Sequence, residues 1–200
     1  MNPEKVSKLM LKLNRTVYSE PRMAMHDGII RQVSDEVLAH MPAGSVALDV
    51  GCGCGPFLEL CREKDIKAIG IGVDRADLAQ CISFGYRVHE MDMHDLQFSD
   101  RTFGLVWARH VLEHSPFPLL ALSEFRRVLI PGGCLYIEVP APDTCAHHES
   151  NANHYSVFGD KAWQFIFDKA GFKLVGIKFI DIDLTRLGKD KYFSYILCPS

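Results

Sequence analysis

The stretch ALDVGCGCGPF, residues 47–57, combines an aspartate, three alternate glycines and two cysteines in eleven residues. A short buried strand that ends in glycines and leads into a helix presents free backbone N–H groups to a ligand. Gly51, Gly53 and Gly55 supply permissive backbone and leave no Cβ in the way of that ligand. Asp49 precedes them, and its negative charge would repel a diphosphate but suit a cation. Because the spacing is G-x-G-x-G rather than the G-x-G-x-x-G of dinucleotide loops, we expect a cationic ligand.

The cysteines of this loop raise the alternative of a metal site. Cys52 and Cys54 lie close to Cys61 in the sequence, and thiolates are common zinc ligands. The C-x-C spacing is not the usual C-x-x-C, and ligation would close a loop that must stay open for its ligand. We therefore expect no metal in this loop. The chain has seven cysteines, an odd number found mostly in apolar runs, which favours buried thiols in a reducing cytoplasm.

The elements that must position this loop alternate between strands and helices along the chain. Strand patterns are predicted at 45–50, 67–74, 86–92, 103–109 and 133–140, and two β-rich runs follow at 172–183 and 191–198. Helical patterns are predicted at 26–41, 56–64, 76–84, 118–129 and 160–171. This alternation predicts a doubly wound α/β fold. The two successive strands at the end predict an antiparallel hairpin that closes a mostly parallel, seven-stranded sheet.

Composition and charge limit the class of protein and its partners. The chain has 200 residues, 48% of them hydrophobic, and a formal net charge of −3 without long runs of one sign. This pattern indicates neither nucleic acid nor an anionic membrane as a partner. No segment approaches the roughly 20 apolar residues of a membrane span, and residues 1–22 lack the apolar core of a signal peptide. We expect a cytoplasmic protein, and the sequence does not indicate its oligomeric state.

The domain prediction is a single unit over residues 1–200, because no repeat, linker or low-complexity tract divides the chain. Its core is predicted at 45–200 and an amino-terminal helical segment at 1–40. Within that segment, residues 5–18 are a candidate helix over the cofactor or the acceptor pocket. Simple core packing or a frayed terminus is the alternative.

Three blocks of the sequence resemble the class I S-adenosylmethionine-dependent methyltransferases, of the small-molecule type similar to the type 11 group. The blocks are LDVGCGCG, MDMHDLQFSDRTFGLVWARHVLEH at 91–114 and RRVLIPGGCLYIEVP at 126–140, and the similarity runs in register from Ser45 to Leu174. Gly104 and Gln97 depart from the family's pattern, which often has Asp and Pro there. The resemblance implies a Rossmann-like fold and S-adenosylmethionine as cofactor. The sulfonium and ammonium groups of that cofactor would explain an acidic loop.

The resemblance also implies roles for residues beyond the glycine loop. Asp74 closes the second strand, where an acidic residue would accept hydrogen bonds from the ribose hydroxyls. Asp92 would accept from the adenine amino group, and the Met93 backbone would meet the ring edge. His110 ends the fourth strand, where the family's backbone passes the methionine part of the cofactor. The full set of predicted cofactor-binding residues is Asp49, Gly51, Cys52, Gly53, Gly55, Asp74, Arg75, Asp92, Met93 and His110.

Two of these residues have other interpretations. Asp74 is also a good N-cap for the helix that follows it, and it could fill both roles. Asp92 could be a solvated turn residue.

The segment HHESNANHYSVF, residues 147–158, contains three histidines and Glu149. Its spacing fits no standard metal site, so metal ligation stays an alternative beside exposed residues without a task, and no metal site is expected. Residues after the fifth strand lie over the carboxyl edge of the sheet, which predicts an acceptor loop. If the acceptor is a hydroxyl, a general base helps, and histidine titrates nearest neutral pH. His154 is the first candidate for that base and His148 the second.

The function implied is transfer of a methyl group from S-adenosylmethionine by in-line displacement. The acceptor is predicted to be an unidentified small molecule, a lipid or a saccharide-linked group. A catalytically inactive protein that binds S-adenosylmethionine and acts as a partner or regulator is the alternative. An NAD-dependent oxidoreductase is opposed by the glycine spacing and by Asp49.

Overall fold

Seven strands form one mixed sheet in the order β3-β2-β1-β4-β5-β7-β6. The computed structural model describes residues 9, 12–13, 22–184 and 188–200. The first five strands pair in parallel, whereas β7 pairs antiparallel with both β5 and β6. The strands are β1 (Ala47–Val50), β2 (Ala68–Gly72), β3 (Val88–Glu90), β4 (Phe103–Arg109), β5 (Leu129–Pro140), β6 (Phe172–Asp183) and β7 (Lys189–Pro199).

Helices follow most of the parallel strands and begin at residues suited to that position. Two of them begin with proline, which lacks the N–H that the first turn leaves unpaired, and another is capped by Asp74. The helices are α1 (Ala24–Ala39), α2 (Pro56–Glu63), α3 (Arg75–Ser83), α4 (Pro118–Val128) and α5 (Asp160–Lys169), with 3₁₀ turns at Leu112–His114 and His148–Ser150.

Both faces of the sheet are covered, as the central strand β4 illustrates. Leu105 and Trp107 lie on the face against α1 and α2, where the rings of Phe57 and Trp107 stack at 4.1 Å. Val106 and Ala108 lie on the opposite face, in the cluster that contains residues of α4 and α5. This alternation is what a strand buried on both faces requires. The fold class predicted from the sequence is confirmed.

The start of β5 differs from the prediction. The strand begins at Leu129 rather than 133, directly after α4 ends at Val128, and it includes the Pro-Gly-Gly stretch, in which Gly132 has a φ of 78°. Phe103 pairs with Leu129, and the register then shifts so that Leu105 pairs with Cys134. The glycines therefore form an irregularity within a paired strand rather than a turn before it.

The predicted helix at 5–18 lies outside the described residues, apart from Leu9, Lys12 and Leu13. Among the described helices, none is long and apolar enough to cross a membrane.

Candidate active site

A cavity of about 320 Å³ opens at the carboxyl ends of β1, β2 and β4. Its volume is in the range of small-molecule sites, and this edge of the sheet is where doubly wound folds bind ligands. One part of its wall comes from the ends of these three strands and from residues 91–94. The other part comes from the 3₁₀ turn after β4, the loop after β5 and Tyr192 of β7. The cavity therefore joins the two regions that the sequence analysis treated separately.

The glycine loop between β1 and α2 needs glycine for steric reasons. Gly51 has a φ of 68°, and a Cβ there would lie 2.8 Å from Cγ2 of Val111. Gly55 has a φ of 90° and precedes α2, and a Cβ there would lie 3.1 Å from Sγ of Cys81. A Cβ on Gly53 would meet only an oxygen of Asp77 at 4.0 Å. Gly51 and Gly53 both line the cavity, but only Gly53 faces open space; Gly51 packs against Val111, and Gly55 packs behind the wall.

Asp49 and Cys52 lie behind the cavity wall. Asp49 is 4% exposed, and within the described part of the chain its Oδ2 has no hydrogen-bond partner. Burial, with the nearby Cys81, raises the pKa of Asp49 well above its usual value, although Arg109 opposes the rise. Cys52 is buried against Gly70, where a Cβ would lie 2.8 Å from the Cys52 sulfur. Neither side chain is brought to the cavity surface in this structure.

Asp74 lies at the cavity wall and also caps α3. Its Oδ1 accepts hydrogen bonds from the backbone N–H groups of Ala76 at 2.8 Å and Asp77 at 3.0 Å. Among the described residues, Oδ2 accepts no hydrogen bond, so the cap leaves one carboxylate oxygen for a ligand. Arg75 turns away: it forms a bidentate pair with Glu90 at 2.9 and 3.0 Å, and its side chain is 82% exposed.

Asp92 and Met93 line the same part of the cavity, and a hydrogen-bonded chain fixes Asp92. Its Oδ1 accepts from the backbone N–H of His94 at 2.9 Å and lies 2.6 Å from the ring Nδ1. The other ring nitrogen of His94 lies 2.6 Å from Oγ of Ser115, and both His94 and Ser115 are buried. The Asp92 carboxylate is thus fixed by hydrogen bonds rather than free in solvent as a turn residue would be. This support was not predicted from the sequence, in which the D-x-H spacing was the available local signal.

His110 lies between two buried carboxylates at the end of β4. Its Nε2 is 3.0 Å from Oε1 of Glu138, and its Nδ1 is 3.3 Å from Oε1 of Glu113. Burial and the charge of Arg109 lower the pKa of His110, but its bonds to Glu113 and Glu138 outweigh them and raise it. His110 also has a φ of 51°, unusual for a residue with a side chain. The two carboxylates therefore favour the protonated form of His110, which lines the cavity together with Gly51, His148 and His154.

Glu138 connects this charge cluster to the sheet. It is buried, and it lies 2.8 Å from Nε of Arg109 and accepts from the hydroxyl of Tyr136 at 2.7 Å. Burial would raise the pKa of Glu138, but the bond to His110 and the charge of Arg109 lower it to about 2. The pKa of the nearby His26 is lowered, whereas that of His110 is raised. Burial and the charge of Arg109 lower the pKa of His26 to about 4, so it stays neutral while Arg109 Nη2 lies 2.9 Å from its Nδ1.

The predicted histidine loop lies over the rest of the cavity, with His148 and His154 both in the wall. The Nε2 of His148 is 3.0 Å from both carboxylate oxygens of Asp190 in β7. The Nδ1 of His154 is 2.9 Å from the backbone oxygen of His148, and its Nε2 is 3.3 Å from Nδ2 of Asn151. Burial lowers the pKa of His154 below its usual value. His147, by contrast, is 73% exposed and lies outside the cavity wall.

The residues present fit S-adenosylmethionine, which the sequence resemblance implies. The space in front of Gly53 is open, and Asp74 keeps a carboxylate oxygen for the ribose. Ile71 and Leu78 give the neighbouring wall an apolar surface for a planar base. The buried Asp49 carboxyl, with its unpartnered oxygen, is the kind of group that a cation would stabilise in ionised form. The group can therefore bind along the wall from Asp74 to the glycine loop.

Comparisons with known proteins agree with this geometry. The model of a methyltransferase domain family matches residues 24–177. The chain is 28% identical over 144 residues to 27-O-demethylrifamycin SV methyltransferase of Amycolatopsis mediterranei, covering 62% of this chain and 52% of the relative. It is 28% identical over 131 residues to malonyl-acyl-carrier-protein O-methyltransferase of Erwinia billingiae, covering 64% and 51%. The chain thus spans about half the length of these curated relatives.

A solved structure supports the fold. The crystal structure of an S-adenosylmethionine-dependent methyltransferase from Archaeoglobus fulgidus aligns with a TM-score of 0.70 at 19% identity and covers 86% of this chain and 92% of that one. The family match, the cavity at the carboxyl edge of the sheet and the glycine loop lead to one conclusion. The chain belongs to the class I S-adenosylmethionine-dependent methyltransferase family.

Proposed function

We propose that this protein transfers the methyl group of S-adenosylmethionine to a hydroxyl oxygen of a small-molecule acceptor. The observation that carries the proposal is the continuity of the cavity. Its wall runs without interruption from Asp74, past Gly51 and His110, to His148 and His154. A cofactor that lies along the first part would direct its sulfur toward the second part, which has the groups needed to hold an acceptor and to take a proton.

The cofactor side of the site is built for binding and orientation. Asp74 would bind the ribose hydroxyls, the held carboxylate of Asp92 would accept from the adenine amino group, and Met93 would meet the edge of the ring. The loop at Gly51 and Gly53 would lie against the methionine part. When bound, S-adenosylmethionine supplies a methyl group on a positively charged sulfur, with a neutral thioether as leaving group. Because that reaction needs little covalent help, alignment and exclusion of water are the main tasks of these residues.

The acceptor side offers two histidines as general base, and the contacts favour His148. Asp190 lies 3.0 Å from Nε2 of His148, so this nitrogen carries the proton and Nδ1 has the lone pair. Among the described residues, no side chain or backbone group bonds to that Nδ1. A buried carboxylate that orients a histidine and stabilises its charged form is the arrangement found in general-base dyads. His154, the other candidate, has both of its ring nitrogens within reach of protein groups.

In the proposed step the acceptor hydroxyl gives its proton to Nδ1 of His148. S-adenosylmethionine would supply the methyl group to the acceptor oxygen, and its sulfur would leave as a neutral thioether. Asp190, which is buried, stabilises the imidazolium that results.

The names of the two relatives described above support oxygen as the acceptor atom. One is named as an O-methyltransferase and the other for a substrate that lacks a methyl group at a 27-O position. Both names describe organic molecules or carrier-bound acyl groups rather than nucleic acids. The acceptor cavity here is lined by imidazole and carboxylate groups next to Tyr192, which suits a polar organic acceptor.

The direct test is formation of S-adenosylhomocysteine with a panel of hydroxyl acceptors, which includes phenols, polyketide alcohols and saccharides. We expect turnover with at least one acceptor class. The His148→Ala variant is expected to lose about 10²- to 10⁴-fold in turnover while its affinity for S-adenosylhomocysteine stays within about threefold. His147→Ala is the matched control, because His147 is the exposed neighbour of His148.

Two outcomes would contradict the proposal. Binding of S-adenosylmethionine by calorimetry without turnover on any acceptor would favour a catalytically inactive binding protein. A thermal shift with NAD and none with S-adenosylmethionine or S-adenosylhomocysteine would favour an oxidoreductase.

A further inference from the structure

Three potential metal ligands converge at the acceptor end of the cavity. One carboxylate oxygen of Glu113 and one ring nitrogen each of His114 and His154 lie within 4.8 Å of one another. All three residues line the cavity. The rings of His114 and His154 meet edge to face, with centroids 4.8 Å apart. Two imidazoles and one carboxylate are the donor set of many catalytic zinc and iron sites.

The hydrogen bonds of both histidines indicate which ring nitrogen can serve as a metal ligand. The Nδ1 of His114 lies 2.9 Å from the backbone oxygen of Asn153, and the Nδ1 of His154 lies 2.9 Å from that of His148. A carbonyl oxygen only accepts, so each Nδ1 carries the proton and each Nε2 has a lone pair. Nε2 of His154 also lies 3.3 Å from Nδ2 of Asn151, and a bound metal ion would replace that contact. Metal-binding histidines in proteins are held in the same way, by a carbonyl or carboxylate on the second nitrogen.

Glu113 supplies an independent indication of a missing ligand. It is 1% exposed, and within the described part of the chain its Oε2 has no hydrogen-bond partner. Its Oε1 is occupied at 3.3 Å by His110. A buried carboxylate oxygen without a partner is costly, since native proteins pair nearly all such atoms. A cation beside Oε2 would satisfy it.

The backbone holds the two contributing segments together. The carbonyl of Glu113 accepts from the N–H groups of Tyr155 at 2.8 Å and Ser156 at 3.0 Å, and Oγ of Ser156 donates to the carbonyl of Ser115 at 2.7 Å. The turn after β4 and the loop after β5 are therefore fixed to each other on either side of the cluster. Such preorganisation is what a metal site needs from its surroundings.

We propose that Glu113, His114 and His154 bind one divalent transition-metal ion of the zinc type. Because the three donors are no more than 4.8 Å apart, an ion can be placed within about 2.8 Å of all of them, and side-chain movements of about 0.7 Å or less give the usual distances near 2.1 Å. Three protein ligands leave a coordination position open toward the cavity. That position takes the acceptor oxygen, a role that rests on the proposed methyl transfer, whereas the binding of the ion does not.

The proposal changes two expectations drawn from the sequence. No metal site was expected in the histidine segment, because its internal spacing fits none. The structure supplies the missing ligands from the turn after β4, about 40 residues earlier in the chain. His154 then serves as a ligand, and His148 remains as the candidate base.

The test is a calorimetric titration of tag-free protein, first treated with EDTA, with Zn²⁺ in the absence of cofactor and acceptor. We expect one ion per chain with micromolar or tighter affinity. His114→Asn and His154→Asn are each expected to weaken binding by about 100-fold or more, beyond the roughly 10- to 100-fold range of outer-shell changes. His147→Ala, on the exposed side of the same loop, is expected to bind as the unaltered chain does. Substitution with Co²⁺ tests the ligands independently, since an absorption spectrum without a thiolate band excludes the cysteines.

The variants are first checked for binding of S-adenosylhomocysteine, which reports an intact fold. Absence of Zn²⁺ binding at 100 µM, or affinity within about threefold of the unaltered chain in either histidine variant, would overturn the inference. A chain that methylates an acceptor without binding Zn²⁺ overturns this inference alone. A chain that binds Zn²⁺ but forms no S-adenosylhomocysteine overturns the proposed function alone.

Discussion

Substitution of Asp74 separates its helix cap from the contact with the ribose that we propose for the same carboxylate. Oδ1 caps α3 through the N–H groups of Ala76 and Asp77, and Oδ2 is available to the ribose. In Asp74→Ala both are lost. The missing cap costs about 1 kcal/mol of folding free energy, and the missing charge-assisted bonds to the ribose cost about 1.5–3 kcal/mol of binding, or roughly 10- to 100-fold in affinity. In Asp74→Ser the hydroxyl still caps the helix but is too short for the ribose, so only affinity is expected to fall.

Two measurements are needed. Urea unfolding without cofactor gives the folding free energy, because bound ligand would add its own stabilisation. Calorimetry with S-adenosylhomocysteine gives the affinity. We expect the two variants to share the same loss of affinity and to differ by about 1 kcal/mol in stability. If Asp74→Ser binds S-adenosylhomocysteine within about threefold of the unaltered chain, the carboxylate is a helix cap only and the assignment to the ribose is refuted.

Three further predictions concern the surroundings of the site. Gly51→Ala combines a positive φ with a Cβ 2.8 Å from Val111, so unfolding in urea should show a loss of about 1–3 kcal/mol. In the double variant, Val111→Ala should restore only the part of the stability that the clash removes. A double-mutant cycle that shows no coupling between the two positions would contradict that reasoning. Glu138→Gln leaves the buried Arg109 without its charged partner, and the expected loss is about 3–5 kcal/mol; a loss below about 1 kcal/mol would show that the pair is not needed. The pKa of His26 falls from 6.5 to about 4 on folding, so only the unfolded chain gains this proton as the pH drops from 6.5 toward 4, and stability is lost over that window. Urea unfolding should therefore show that the free energy of unfolding falls between pH 7 and pH 5 by about 1 kcal/mol less in His26→Gln than in the unaltered chain. This figure is discounted for the partial exposure of His26.

The segments that form the proposed cofactor side could be located from the sequence because their signals are local. A strand, a glycine loop and a helix follow one another within residues 47–63, and sterics at Gly51 and Gly55 explain why glycine is needed there. Asp74 follows β2 directly, and parallel strands bring their carboxyl ends to one edge. The pattern could not show which of these residues reach the surface. Burial in the sheet places Asp49 behind the wall, and an ion pair with Glu90 draws Arg75 away.

The acceptor side was only half predictable because its contacts are distant in the sequence. The histidine segment stood out by composition, but Asp190, which orients His148, comes from β7. Its position depends on the antiparallel pairing of β7 with β5, which no local pattern encodes. Glu113 and His114 lie in the block at 91–114, but nothing in their local spacing identifies them as metal ligands. Their relation to His154 exists only after the turn and the loop have been hydrogen-bonded together.

Strand β7 lies between β5 and β6, and this order separates the two parts of the cavity wall. Strand order places Tyr192 and Asp190 under the histidine loop, while the strands that hold the cofactor wall, β1, β2 and β4, lie on the other side of β5. Apart from the turn at Glu113 and His114, the acceptor surface is thus encoded by the carboxyl-terminal third of the chain. If the proposed function holds, exchange of residues 147–156 and of strands β6 and β7 would alter which molecule is modified and leave nucleoside recognition unchanged.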